Sequence, residues 1–413
     1  MFKNYLLTAW KVYTRRKLFT AINLLCITLT LGVLLVVTAL LQEAFFPRGV
    51  EGKSDRFVQV NTMVSEGPDG NSTRISPLGY RIVEQYFRTM KTPQLVAATT
   101  GPRTVSVYQA DRVTEVMLRR TDAEYWKVLD FNVLEGRLPS ADDVGQGRFV
   151  VVLNQSTARK LFPGAKAVGQ PLNVGGQQFR VLGVVRDEMQ LNAYADIWAP
   201  TTTEPSTAYR DEESGDFAVL LLGANASDVP RMQAEVAGIA GRIKFKDPKE
   251  FSKAYVWGDT KMDVFARGIF NNAREPDSGA GTMLAVIVLL MLFFMLLPAL
   301  NLVNLNTGRI LERSSEIGVR KAFGASSRTL VVQFVVENIL LCLVGGALGL
   351  VFAKGALMWL EQSGLIPYLR VDIAWPVLFY AFLIAVTFGL LSGVIPAWKM
   401  SRLHPVQALK GAA

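Results

Sequence analysis

Residues 19–41 read FTAINLLCITLTLGVLLVVTALL, 23 positions without a charge, shortly after the basic run Arg15, Arg16, Lys17. A helix rising 1.5 Å per residue needs roughly 20 residues to cross a hydrocarbon layer about 30 Å thick. A cleaved leader would also begin with basic residues, but its apolar core is only roughly 7–15 residues long and ends in small residues of the A-x-A kind. No such site closes this stretch, and Cys26 lies in its middle after two leucines, where a lipid-attachment site does not belong. The stretch is read as an uncleaved anchor over residues 18–41.

Three more stretches pass the same test of length and apolarity: 282–304, 330–353 and 376–397. The 413-residue composition agrees, with 50% hydrophobic and 19% charged residues and a mean hydropathy of +0.25. An ordinary globular chain is less apolar and a disordered one far less so. The net charge of +9 is placed unevenly. Residues 42–281 hold 29 of the 44 Lys and Arg against 30 of the 35 Asp and Glu, so the basic excess lies entirely outside them. A nucleic-acid binder carries its basic face on a folded domain; here the excess borders the spans, as in a membrane topology signal.

Lys3, Lys11 and Arg15–Lys17 precede the first span, Arg309, Arg313, Arg320, Lys321 and Arg328 lie between the second and third, and Lys399, Arg402 and Lys410 follow the fourth. Four spans put all three groups on the cytoplasmic side. Both termini are then inside, residues 42–281 form a large outer domain, and 354–375 a short outer loop. Within residues 1–17, Phe2, Tyr5, Leu6, Ala9, Trp10 and Tyr13 recur at helical spacing among Lys and Arg, the pattern of a helix lying in the inner interface.

The outer domain must hold together by its core, since Cys26 and Cys342 both fall inside spans. Strands are expected at 149–153 (FVVVL), 179–185 (FRVLGVV) and 218–222 (AVLLL), with a hairpin turn at Gly175-Gly176. Helices are expected at 156–162 and 229–243, and loops at 69–77 and 201–216. Chemistry is harder to find. The sole histidine, His404, is on the cytoplasmic side, and the acid runs Asp142-Asp143 and Asp211–Glu213 sit in turn-like segments. A Ser-His-Asp or histidine-based metal site in the outer domain is therefore excluded.

Residues 309–327 read RILERSSEIGVRKAFGASS, followed by QFVVEN and GGALGL in the third span and by SRLHPVQALKG at the C-terminus. These segments resemble the permeases of the MacB/FtsX/LolC-E class of ABC transporters. That class carries R-x-x-E-I-G-hydrophobic-R-K-A-hydrophobic-G-A between its second and third spans; here Arg313, Glu316, Ile317, Gly318, Arg320, Lys321, Ala322, Gly324 and Ala325 hold those positions. LEGRLPSADD, VVVLNQSTARKLFP, VGQPLNVGGQQFRVLGVVRD and DIWAP are similar to the periplasmic core domain of MacB-type members. The resemblance implies four transmembrane helices plus a two-lobed α+β outer domain, with one lobe from about 55–100 and 214–270 and a strand-rich lobe inserted at about 103–203.

Many MacB proteins carry their own ATPase, but no G-x-x-x-x-G-K-[ST] occurs in this chain. The expectation is a non-catalytic subunit binding no cofactor, with ATP and Mg held by a separate cytoplasmic ABC ATPase. Segment 305–329 would bind that partner as a short coupling helix. Ser314, Ser315 and Glu316 offer a helix start, Gly324 a stop, Ile317, Val319 and Phe323 an apolar side, and Arg313, Arg320 and Lys321 charge. The rival is an ordinary basic inner loop. Glu337, beside Asn338, is the one acid within a span, read as a buried hydrogen-bonding group rather than a proton site. Gly345, Gly346 and Gly349 permit close helix approach and Pro298 a kink in the second span.

Four spans enclose no wide path, so a dimer is expected, with itself or with a similar permease. By family likeness the task is mechanotransmission in the inner membrane: ATP-driven motion delivered to the outer domain for efflux of a peptide, lipoprotein, macrolide or siderophore. An adaptor, an outer-membrane channel and membrane lipid are the further partners, and nucleic acid is not. The alternatives are an FtsX-like scaffold regulating an envelope enzyme and lipoprotein extraction like that of the LolC/E pair.

Overall fold

A computed structural model describes residues 14, 17–109, 112–312, 327–365 and scattered positions between 375 and 394. The interfacial helix expected over 1–17 lies almost wholly outside the described residues, the fourth span largely so, and 313–326 entirely. Among the described residues, Glu43–Met283 form one unit, and α1 (Lys17–Phe45) up to Gln42 forms another with residues from Leu284 onward.

The second of these units contains, besides α1, two long helices: α5 (Ala280–Glu312) and α6 (Ser327–Ser363). By length and composition Thr20–Phe45 and Val331–Ser363 are able to cross a membrane, and Ala280–Leu296 is a shorter apolar helix. Their outward positions are as apolar as their inward ones, with Leu289 67% and Val351 70% exposed, which water does not tolerate over such lengths. Two boundaries differ from those expected. Helix α5 runs on to Glu312, into the segment assigned to the cytoplasmic loop. Helix α6 occupies 354–363, assigned to the outer loop, because ALMWLEQS consists of good helix formers up to Gly364, where φ of +68° ends it.

The outer unit is built on a ten-stranded sheet. From its β1 edge it runs through β1 (Phe57–Val60), β12 (Phe217–Leu222), β4 (Leu95–Thr100), β6 (Arg112–Thr121), β11 (Ile197–Pro200), β8 (Val150–Asn154), β10 (Gln177–Val185), β9 (Pro171–Val174) and β5 (Arg103–Gln109), and β5 also pairs with β6. Strand β7 (Val133–Gly136) joins the side of β10. A smaller sheet pairs β13 (Lys253–Val256), β2 (Met63–Glu66) and β3 (Thr73–Ser76). The last of these lies inside the run 69–77 expected as loop. It is an exposed edge strand whose polar residues carry no alternating pattern, and its pairing with β2 decides its conformation.

The segments expected as two lobes share this sheet, joined where Thr99 of β4 pairs with Thr121 of β6. Both faces of β12 are covered, which is why AVLLL shows no polar alternation. Val219 and Leu221 face helix α3 (Val229–Ala240) and the helical segment 80–87, whereas Leu220 and Leu222 face Tyr125, Trp126 and the fully buried Trp198. A third cluster packs helix α2 (Gln155–Leu161) on β8 and β10. The expected hairpin joins β9 to β10, with Gly175 and Gly176 at φ +57° and +85°.

Gly136 ends β7 at φ +71°, and a Cβ there would overlap the Leu182 carbonyl oxygen, whereas one at Gly175 meets nothing within 4 Å. Gly175→Ala is expected to cost about 1–2 kcal/mol, the left-handed penalty alone. Gly136→Ala adds displacement of the strand and should cost at least about 3 kcal/mol. Urea unfolding followed by tryptophan fluorescence of the detergent-solubilised chain measures both, and equal costs would refute the overlap.

Candidate functional site

In the membrane unit, the glycine motif of α6 is a seam against α1. A Cβ on Gly345 would stand 2.6 Å from Cγ2 of Ile27, and one on Gly349 3.1 Å from the Thr28 carbonyl and 3.2 Å from the Gly32 nitrogen. Thr28 Oγ1 donates to the Gly345 carbonyl at 3.3 Å. Ile27 and Leu31 pack with Leu341 and Cys342, and Leu35 with Ala353, so residue numbers rise together and the helices run parallel. Gly346 lines an apolar cavity of about 250 Å³ that borders this seam beside Leu31, Leu35 and Leu350. Helix α5 continues through Pro298 without a break.

Glu337 and Asn338 are both buried, each 7% exposed. The carboxylate accepts a 3.1 Å hydrogen bond from Gln333 Nε2, one helical turn earlier, a partner that the sequence reading missed. Asn23 on α1 is fully buried, and its amide has no hydrogen-bond partner among the described residues. The seam places Ile27 against Leu341 and Gly345, so one turn back on each helix brings Asn23 level with Glu337. The coupling residues Arg313, Ser314, Glu316, Ile317, Gly318, Arg320, Lys321, Phe323, Gly324 and Ala325 lie outside the described residues.

Sequence reasoning gave no site within the Glu43–Met283 unit, yet buried polar groups converge there between the segments that follow α1 and precede α5. Glu51, six positions past the end of α1, is fully buried, and its Oε2 lies 2.6 Å from Nζ of Lys261, itself 6% exposed. Lys261 begins helix α4 (Lys261–Phe270), which precedes α5. Glu51 Oε1 accepts from the backbone N–H and Nδ2 of Asn192 at 3.1 and 2.9 Å, and the Asn192 carbonyl accepts from Tyr125 Oη at 2.7 Å. In the last turn of α1, Glu43 receives Gln190 Nε2 at 2.9 Å and Arg48 at 3.3 Å, and Phe45 meets Phe265 of α4 edge-on at 5.1 Å.

The same network continues to the start of α5. Arg267 of α4 grips Asp259 with two bonds of 2.9 and 3.0 Å and donates to the Glu275 carbonyl at 2.8 Å. Burial raises the Asp259 carboxyl above its ordinary value, and Arg267 pulls it back down. Thr260 and Asp263 cap α4 reciprocally, and Asp263 also receives Ser278 Oγ, which accepts from the N–H of Ala280 at 3.2 Å. The segments that follow α1 and precede α5 are thus tied to one frame, whose signal in the sequence is only scattered charges.

Within this frame the hydroxyls of Thr260 and Ser278 both donate to the Asp263 carboxylate, at 2.6 Å each, and so fix the start of α4. Among the described residues no three His, Cys, Asp or Glu side chains gather as a metal site. Asp122, pushed up to about 6 by burial against the pull of Arg88, is used structurally, accepting from the N–H groups of Ala98 and Tyr125.

Breaking a buried pair strands a charge, so Lys261→Met should destabilise the outer unit by about 3–5 kcal/mol. Adding Glu51→Gln removes the charge and keeps the acceptor for Asn192, and should recover at least half of that; additive losses in the double-mutant cycle would show the two groups to be uncoupled. In the seam, Gly345→Leu should cost about 1–3 kcal/mol by overpacking, read as thermal stability in detergent, while Gly355→Leu, where a Cβ meets nothing, stays near wild type.

A profile described as MacB-like periplasmic core domain matches residues 20–239, and one described as FtsX-like permease C-terminal matches 288–405. The macrolide export ATP-binding/permease protein MacB 1 of Yersinia pestis bv. Antiqua (strain Antiqua) is 25% identical over 422 residues, covering 99% of this chain and 60% of that protein. The MacB of Chromobacterium violaceum is 26% identical over 69% of this chain and 42% of its own length. The chain therefore spans about 60% or less of these relatives. Among solved structures, the periplasmic region of MacB from Actinobacillus actinomycetemcomitans aligns at 17% identity and a TM-score of 0.40, covering 55% of this chain and 97% of that one. The extracellular domain of the noncanonic ABC-type transporter YknZ from Gram-positive bacteria aligns at 16% identity and 0.34, covering 44% and 90%.

Proposed function

The chain belongs to the MacB/FtsX-like permease family, and on that premise we propose that it is a four-span inner-membrane subunit that turns ATP hydrolysis by a separate cytoplasmic ATPase into motion of its outer domain. Both termini are cytoplasmic, and two permease chains, identical or similar, form the working unit. Closure of the ATPases pushes on segment 313–325, where Glu316 and Gly324 seat the coupling helix and Arg313, Arg320 and Lys321 supply its charge. The push reaches the spans as rigid-body motion, since packed helices shift as units rather than deform continuously.

The observation that carries this reading is the buried ion pair between Lys261 and Glu51. It fastens the segment that follows the first long helix to the helix that precedes the second. Movement of either segment is therefore delivered to the outer core rather than absorbed in a loose linker. The work is done outside the bilayer, on a substrate taken up there and expelled toward an outer channel through an adaptor.

A pull-down of the tagged chain from native membranes in mild detergent tests the proposal. A P-loop ATPase is expected to co-elute, and Glu316→Lys with Gly324→Trp should weaken its binding by about tenfold or more while membrane insertion is retained. Unchanged ATPase stimulation in the double variant would overturn the coupling assignment. Co-eluting envelope proteins separate efflux, with an adaptor and channel, from lipoprotein extraction or regulation of a wall enzyme.

A further inference from the structure

Helix α4 wears its residues in an unexpected order. Its cations are hidden, Lys261 6% and Arg267 9% exposed, while Phe265, Ile269 and Phe270 are 41%, 66% and 40% exposed. Phe265 and Ile269, one turn apart, share a side of the helix on which Gly268 adds no polar group. Phe46, 58% exposed, follows Phe45, whose ring packs on Phe265. Residues 268–273 (GIFNNA) carry no charge. A helix facing water arranges these residues the other way round, so water is not the solvent of this face.

The location of the patch identifies that solvent. Phe45 is the last residue of α1. At the other end of α4, Phe270 packs on Gly279, where a Cβ would stand 2.6 Å from Cδ2 of its ring, and α5 begins at the next residue. The apolar face is therefore pinned at both ends to the residues where the chain leaves one membrane helix and enters the next. Those residues lie at the bilayer surface if α1 and α5 span it.

We propose that α4 is a lipid-docking helix: Phe46, Phe265, Ile269 and Phe270 sit among the acyl chains and headgroups of the outer leaflet, and the buried Glu51–Lys261 and Asp259–Arg267 pairs hold the helix in that attitude. The inference rests on the reading of α1 and α5 as membrane spans. It gives the outer domain a fulcrum, since a base resting on lipid converts displacement of a span into tilt.

The test uses the full chain with Cys26 and Cys342 replaced by alanine, reconstituted in phosphatidylcholine vesicles. A polarity-sensitive fluorophore is attached in turn to Ile269→Cys, to Gly268→Cys, where a Cβ meets nothing within 4 Å, to Leu289→Cys on α5, and to Asp211→Cys, whose side chain is 84% exposed. Lipid carrying a nitroxide near its headgroup should quench positions 268 and 269 at least about twofold more than position 211. Nitroxide deep in the chain should quench position 289. Quenching at 289 but not at 268 or 269 would overturn the docking and leave the spans intact. No quenching at 289 would sink the topology and the proposal with it. A blue-shifted signal at 269 that lipid does not quench, and that is lost on dilution with unlabelled chain, would assign the face to a second copy instead.

Discussion

A buried charge must be matched or the fold does not survive, and the Lys261–Glu51 pair is where this chain accepts that constraint. Taking a lysine and a glutamate out of water costs several kcal/mol per ion after relaxation, and only close geometry with further hydrogen bonds offsets it. The bonds from Asn192 to Glu51, and from the Tyr125 hydroxyl to the Asn192 carbonyl, serve that end. An apolar pair of the same volume would have held the segments together without such demands. The ionic pair instead holds the two segments in one geometry, as the proposed transmission of displacement requires.

Two solvents shape the rest. In the outer unit the sheet is covered on both faces at β12, so its stability comes from burial of aliphatic and aromatic area, with the cores meeting through shared strands. In the membrane unit there is no such gain from hiding leucine, since lipid is as apolar as the side chains. Helices α1 and α6 instead approach through Gly32, Gly345 and Gly349, where removal of side chains lets backbones touch. Helix α4 stands between the two regimes, with its cations turned into the protein and its phenylalanines turned out.

Much of the fold was legible. The hairpin glycines, β8, β10 and β12, and helices α2 and α3 all follow from local patterns, because turn chemistry and aliphatic runs act over a few residues. Strand β3 was not, since TRIS has no alternation and only the edge of β2 makes it a strand. Helix α6 runs past the expected span because a helix does not stop where the apolar run does; it stops where a residue such as Gly364 lets the backbone turn. Of the candidate residues, Gly345 and Gly349 meet α1, a partner that no local pattern specifies; Gln333 and Asn23 were missed because a single amide in an apolar run gives no periodic signal.

What the sequence by itself determined is the set of apolar lengths, the placement of basic flanks and the motif that assigns the family, all of them properties of contiguous residues. Tertiary structure alone decided that Glu51 meets Lys261, that Gly345 meets Ile27, and that Phe265 and Ile269 face outward. Each of these joins residues far apart in the chain or depends on which side of a helix is covered. Local propensity carries no information on that choice; it is made when distant surfaces compete for burial.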